Sequence, residues 1–265
     1  MAEIFKQESS ASDQARPESP PRVKSPKEEV LTSREKTSSR KIGRGVTDSS
    51  FVELKDDGKG IFKTEGYENE RGAYLIDRFL GFNLTPPTAI RVLDGEMGSM
   101  QEFIPDAATF YELVDSQPRV SVDNINEKHK LDFMKMWIFD IIIGNNDRHD
   151  GNFLIQGDIL YAIDHGRSLQ YNRDEFLEYI DLGKGYKKFF DQEIPVELIE
   201  GIKFFLSRPE EQEILEDLLA EIFNRKYASA CLKRIRTIGE MLIRDGKVNR
   251  PQGHYAESSW HIPIV

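Results

Sequence analysis

The pattern of apolar and polar positions changes character several times along the 265 residues. Up to about residue 40, isolated apolar side chains lie among Ser, Pro, Glu, Lys and Arg, and Phe5 is the only aromatic. Such a segment cannot bury enough apolar area to offset the entropy of ordering it, so residues 1–40 are expected to form a disordered tail. Its Ser19-Pro20 and Ser25-Pro26 pairs read as ordinary linker residues. From Lys41 the pattern shortens into strand, small-residue turn and strand, and a third strand runs over 60–64. Apolar positions at helical spacing (Tyr74, Leu75, Phe79, Leu80) predict a helix over 69–81 with Gly81 as its stop. Two extended stretches, 84–93 and 98–107, flank an Asp94-Gly95 turn and predict a hairpin.

Further along, a short helix is expected over 107–114, while 121–128 is polar and gives no clear element. The run 131–143 is apolar on nearly every face, as in a helix buried on all sides, and Gly144 suits its left-handed C-cap. Two β-like runs, 153–155 and 159–163, follow a loop crowded with Asn, Asp, Arg and His. Apolar residues recur at three and four over 195–206, 209–223 and 226–243, predicting amphipathic scaffold helices. Residues 249–265 form a tail with Trp260, able to pack on the chain or on a partner.

Composition bounds the reading. With 38% hydrophobic residues the chain can bury one good core, divisible into two lobes. No apolar run reaches transmembrane length, and the opening residues are not a signal peptide. The single Cys231 cannot form an internal disulfide, so a reducing, cytoplasmic setting is expected, and the thiol reads as buried and structural. Lys and Arg number 36 against 46 Asp and Glu, so the net charge is 36 − 46 = −10. A surface of that sign does not attract nucleic acid or anionic membrane as a whole.

The chemistry concentrates in 140–167. Asp147 precedes Asn152 by five positions, and Asp164 closes an apolar strand before His165 and Gly166. Phosphoryl transfer needs a carboxylate to orient the attacking hydroxyl and oxygen ligands to hold Mg²⁺ on the phosphates. Asp147 suits the first task; Asn152 and Asp164 suit the second. A merely solvated turn accounts for Asn145, Asn146 and Asp150. It does not account for Asp164, whose ionisation at the end of an apolar strand is costly without a cation. Asp140, an acid inside the apolar helix, is expected to cap loop amides or pair with an arginine, and Arg148 and His149 are expected to support the loop. Around 45–50, small residues including Gly45, Ser49 and Ser50 let backbone N–H groups approach phosphates, although a simple hairpin has the same composition.

Asp147-Arg148-His149, Gly151-Asn152 and Ile163-Asp164-His165-Gly166 together resemble the catalytic and metal-binding loops of the phosphoinositide 3-/4-kinase-like superfamily, in particular its small bacterial members. The order Asp-Arg-His differs from the His-Arg-Asp of ordinary protein kinases, and Asp-His-Gly stands in place of Asp-Phe-Gly. The resemblance spans about 42–245. It implies an α+β, two-lobed protein-kinase-like fold: an antiparallel sheet with one main helix over 41–104, and a mainly helical lobe over 105–248. It implies ATP with Mg²⁺ or Mn²⁺ between the lobes. Lys63 would pair with the phosphates and with a helix acid, Glu70 by the family pattern or Glu68 close by. Backbone groups near Glu102, Phe103 and Ile104 would meet the adenine edge. Residues 167–193 would be the activation loop.

Three functions compete on these residues: an atypical protein kinase, a phosphoinositide or small-molecule kinase, and a nucleotide-binding pseudokinase scaffold. Asp147, Asn152 and Asp164 are all present, which disfavours the third. The acidic balance, with only Lys184, Lys187 and Lys188 as a local basic patch, favours Ser or Thr of a protein over a lipid acceptor, with the Ser-rich N-terminal tail as one acceptor within the chain. Transfer of AMP in place of the phosphoryl group stays open.

Overall fold

The computed structural model of the chain describes residues 25–42, 49–115, 121–145, 147–169, 179–181, 189–249 and 261–263. Its first half is an antiparallel sheet of five strands, β1 (Lys36–Lys41), β2 (Ser49–Leu54), β3 (Lys59–Lys63), β4 (Thr88–Leu93) and β5 (Glu96–Glu102), in the order β1-β2-β3-β5-β4. The Asp94-Gly95 turn joins β4 to β5, with both residues at positive φ. Alternation puts Val52, Leu54, Phe62, Ala89, Leu93 and Met100 on one face, where they form a small core.

Leu31 completes that core, and it comes from the stretch expected to be a disordered tail. Residues Pro26–Ser33 form a helix, α1, and β1 begins at Lys36, so the tail boundary at 40 is corrected: residues 26–40 belong to the fold. Two causes hold α1. Ser25 and Glu28 close a capping box with Pro26 in the first turn, and Leu31 packs under the sheet with 2% exposure.

Helix α2 (Tyr67–Leu80) starts at Gly66 and stops at Gly81, both in the left-handed region. It lies between the sheet and the larger core, which its Ala73, Leu75, Ile76, Phe79 and Leu80 enter. Most of the remaining described residues are helical: α3 (Phe110–Asp115), α4 (Val122–Lys128), α5 (Lys130–Ile143), α6 (Val196–Leu206), α7 (Pro209–Ile222) and α8 (Arg225–Asp245). Every residue of α5 from Met136 to Ile143 is buried, as its hydropathy predicts, and Gly144 caps it at φ 64°. Cys231 is buried on α8, and burial pushes its thiol up to about 12.

Two local expectations differ. The stretch read as a helix over 107–114 opens as a short strand, β6 (Ala108–Thr109), before α3, because β7 (Phe153–Gln156) offers it a backbone ladder. The polar 121–128, left without an element, is mostly α4. β7 pairs with β8 (Ile159–Ala162) through a turn with Gly157 at φ 61°. In the expected activation loop, β9 (Tyr179–Asp181) pairs antiparallel with β10 (His261–Pro263), so the C-terminal segment meets the chain itself. Lys184, Lys187, Lys188 and Gly45 lie outside the described residues.

Candidate active site

Lys63 ends β3, and its Nζ sits 2.7 Å from Glu70 Oε1 and 3.1 Å from Asp164 Oδ1. Three separate elements, the end of β3, the first turn of α2 and a loop 101 positions downstream of Lys63, therefore meet at one ammonium. Burial alone lowers the pKa of Lys63, but Glu70 and Asp164 outweigh it and hold the amine above its usual value, fully charged. Glu70 is 2% exposed, and its second oxygen accepts from the His165 backbone N–H at 3.1 Å. The partner of Lys63 is thus Glu70; Glu68 does not reach it.

The loop after α5 is built on satisfied carbonyls. A helix leaves its last carbonyls unpaired. Here Asp140 O accepts from Asn145 N, Ile143 O accepts from Leu169 N, and the Ile141 and Ile142 carbonyls accept from the Arg234 guanidinium at 2.6 and 2.9 Å. Arg234 lies on α8 and is 2% exposed. The helical spacing that predicts a scaffold helix over 226–243 carries no sign of this role, and nothing local marks Arg234 as the floor of the loop.

Arg148 latches the two polar loops together. Its fork grips buried Asp140 at 2.9 Å on both oxygens, and its Nη1 donates to the carbonyls of Asn152 and Ile163. This is the arginine pairing expected of Asp140. His165 fills the space behind: its Nε2–H donates to the Ala162 carbonyl and its Nδ1 accepts from Arg148 at 3.3 Å. A guanidinium can only donate, which fixes that tautomer. Burial, then the nearby Arg148 charge, pushes the His165 pKa down to about 3, so the ring stays neutral. His149 accepts from the Gly151 N–H, a loop-supporting role as expected.

Asn152 is buried, and its Nδ2 donates to the Asp147 carbonyl at 2.8 Å, while its side-chain oxygen has no donor among the described residues. The Asp147 N–H donates to Asn145 Oδ1, and the Asp147 carboxylate, 40% exposed, has Arg167 at 3.6 Å. Asp164 is 41% exposed and takes φ 60°, a left-handed conformation that Asp tolerates. Gly66 and Gly166 pass so closely that a Cβ on Gly66 would meet the Gly166 Cα at 2.8 Å. Asn69 closes that crossing with a hydrogen bond to the Gly166 carbonyl.

The remaining sequence-derived positions line the sheet side. Ser49 pairs with Lys63 across the β2–β3 ladder and Ser50 with Phe62. Of the amides at the end of β5, Glu102 donates to the Pro87 carbonyl and Phe103 to the Lys59 carbonyl. The Ile104 N–H has no acceptor among the described residues.

The described residues include no cluster of three or more His, Cys, Asp or Glu able to hold a metal. The donors present are one amide oxygen, Asn152, and one carboxylate, Asp164. That pair fits a hard cation such as Mg²⁺, which takes one or two protein oxygens and completes its shell with phosphates and water.

The family model for phosphatidylinositol 3- and 4-kinase matches residues 25–226. The chain belongs to this family. A curated relative, Protein Rv2133c of Mycobacterium tuberculosis, is 25% identical over 215 residues, covering 70% of this chain and 71% of that protein. Among solved structures, the Golgi casein kinase with Mn and ADP bound superposes with a TM-score of 0.56 at 18% identity, over 85% of this chain and 79% of that one. The Helicobacter pylori proinflammatory kinase CtkA gives 0.56 at 16%, over 82% and 97%. Hydra Fam20 with sugar gives 0.57 at 14%, over 83% and 87%. The phosphatidylinositol 3-/4-kinase family member therefore has the α+β kinase-like fold that its two polar motifs imply. The family match begins at residue 25, where α1 is capped.

Proposed function

We propose that the chain is an ATP- and Mg²⁺-dependent phosphotransferase whose acceptor is a Ser or Thr hydroxyl of a protein. The observation that carries this reading is the Lys63 ammonium held between Glu70 and Asp164. A lysine fixed by two acids, one buried and one open to solvent, is a preset cation for phosphate oxygens. Asp147 orients the acceptor hydroxyl and receives its proton, being half-exposed at the loop tip while its backbone is pinned on both sides. Asn152 and Asp164 hold Mg²⁺, which when bound neutralises charge developing on the phosphoryl oxygens. Ser49 and Ser50 flank the phosphates, with Gly45 assigned to the same cradle from sequence. The unengaged Ile104 N–H offers a donor to the adenine edge, beside Glu102 and Phe103.

The chain charge of −10 supports a protein acceptor, since an anionic bilayer repels such a surface. The family description, which names phosphatidylinositol, favours a lipid acceptor as the second reading. The test is transfer from ATP labelled at the γ- or the α-phosphate, offered a mixed protein acceptor and phosphatidylinositol vesicles in parallel. Label from the γ position on Ser or Thr is expected. Label from the α position would turn the reading to AMP transfer, and robust labelling of the lipid would turn it to the second reading. Asp147→Asn and Asp164→Asn are each expected to lower transfer at least about 100-fold with the fold intact. Asn is chosen because it accepts the left-handed backbone of Asp164. Only Asp164→Asn is expected to weaken Mg²⁺-dependent ATP binding. Transfer within tenfold of wild type in either variant contradicts the assignment.

A further inference from the structure

The carboxylate of Glu28 is wholly buried, and it lies outside the site just described. It accepts from the Ser25 N–H at 2.9 Å, Arg71 Nη1 at 2.6 Å, Arg78 Nη1 at 2.7 Å and the Tyr74 hydroxyl at 3.2 Å. Burial alone raises its pKa, but the Ser25 amide and the two arginines outweigh that and hold the group below the usual carboxylate range. Three of these partners, at 71, 74 and 78, form one stripe of α2. Glu70 stands at the edge of that stripe, about 40° around the helix from Tyr74 and about 100° from Arg71. The same helix is therefore gripped on one face by Glu28 and on the neighbouring face by Lys63 and the His165 amide. Arg71 also donates to the Thr88 carbonyl of β4, so the grip includes the sheet. The other end of α1 is tied down as well, since Arg91 of β4 donates to the carbonyls of Leu31 and Arg34.

We infer that Glu28 is a positioning residue and α1 an activating clamp: by fixing the Arg71–Tyr74–Arg78 stripe it sets the rotation of α2 that points Glu70 at Lys63. A rotation of about 20° about the helix axis carries a side-chain carboxylate roughly 5–6 Å from that axis by about 2 Å, enough to break a 2.7 Å ion pair. Without Glu28, two largely buried guanidinium groups lose their carboxylate, and α2 turns or shifts to return them to water. The inference rests on the phosphotransferase reading for its effect on turnover, but not for its effect on Glu70.

The test is Glu28→Gln in the full chain, which keeps the shape and removes the charge. Two quantities are read: hydrogen exchange of the His165 amide, whose acceptor is Glu70, and kcat with KM for ATP in the transfer assay. The His165 amide is expected to exchange at least fivefold faster and kcat to fall at least fivefold, with KM for ATP within threefold. Glu29→Gln, an exposed neighbour on the same helix, is expected to change neither. Should Glu28→Gln be unfolded at the assay temperature, Glu28→Asp is read in the same way, since it keeps the charge but shortens the reach by one methylene. Exchange or kcat within fivefold of wild type in the folded variant overturns the inference. A wild-type chain that transfers no phosphate defeats the phosphotransferase reading instead, and exchange at His165 then decides the clamp alone.

Discussion

Helices α5 and α1 bury a carboxylate each, by opposite means. α5 is buried on all sides from Met136 onward, where Asp140 is the one polar residue, held there by Arg148 and Asn145. α1 is a polar eight-residue helix with little apolar surface, and its Glu28 goes inside because Arg71 and Arg78 meet it there. In the first case the helix would be buried whatever residue stood at 140. In the second, charge neutralisation and a single Leu31 account for the burial. Burial thus has two causes, and only the first is written into local hydropathy.

The largest effect is expected from breaking the α5 pair. Arg148→Ala leaves Asp140 buried without its cation and frees the Asn152 and Ile163 carbonyls, so a loss of about 3–5 kcal/mol is expected in urea unfolding. Transfer should fall nearly to background, because the loop bearing Asp147 and Asn152 comes unlatched from the one bearing Asp164. Arg148→Lys keeps the charge without the fork and should fall between. An Arg148→Ala variant as stable as wild type would mean that Asp140 finds another partner.

The α1 side is sharpened by two truncations. Removing residues 1–24 is expected to leave the melting temperature within about 2 °C, because their composition gives nothing to dock. Removing 1–34 withdraws Leu31 and Glu28 together, at roughly 3 kcal/mol or about 6–12 °C in thermal unfolding. Equal melting temperatures for the two truncated chains would show that α1 contributes nothing to the sheet core.

The smallest effect concerns a third buried acid that has no arginine. Asp77 is 1% exposed and accepts from the Leu84 and Thr85 amides, and burial pushes its pKa up to about 7 despite them. Between pH 7 and 3.8 it binds a proton that the unfolded chain releases, so acidification adds stability through this group. His165 does the reverse: below pH 6.5 the unfolded chain gains a proton that the native ring refuses down to about 3. The two slopes, each about 1.4 kcal/mol per pH unit, oppose one another between 6.5 and 3.8. In Asp77→Asn only the histidine slope remains. Its stability relative to wild type is expected to drop by about 1.4 kcal/mol per unit on acidification from pH 6.5, measured by urea unfolding at pH 6.5 and 5.5. A constant difference between the two chains would show that Asp77 stays ionised in the native state.

What was legible in the sequence follows the range of the interactions. α5, the motif residues 147–152 and the turn at 94–95 are set by neighbours a few positions away, and hydropathy or spacing displays them. The Lys63–Glu70 pair spans seven positions and was readable once the motifs fixed the family. Glu28 was not, because its partners lie 43 and 50 residues downstream and a glutamate in a Ser- and Pro-rich stretch looks solvated. One local signal was there: Ser25 and Glu28 at capping-box spacing, with Pro26 in the first turn, mark a helix start that a disordered tail has no reason to carry. Arg234 had no such mark. Its acceptors sit 92 and 93 positions upstream, and an arginine on an amphipathic helix reads as exposed.

The lone Cys231 has a practical consequence for following α2 and α1 in solution. Its thiol is sealed in the core with its ionisation pushed up to about 12, so almost no thiolate is available to maleimide or iodoacetamide near neutral pH. A second cysteine placed at an exposed position, such as Val92 on β4 at 56% exposure, would then take a dye alone. The wild-type background is thus already suited to single-site fluorescence or spin labelling, with no need to replace the native cysteine and open a cavity on α8.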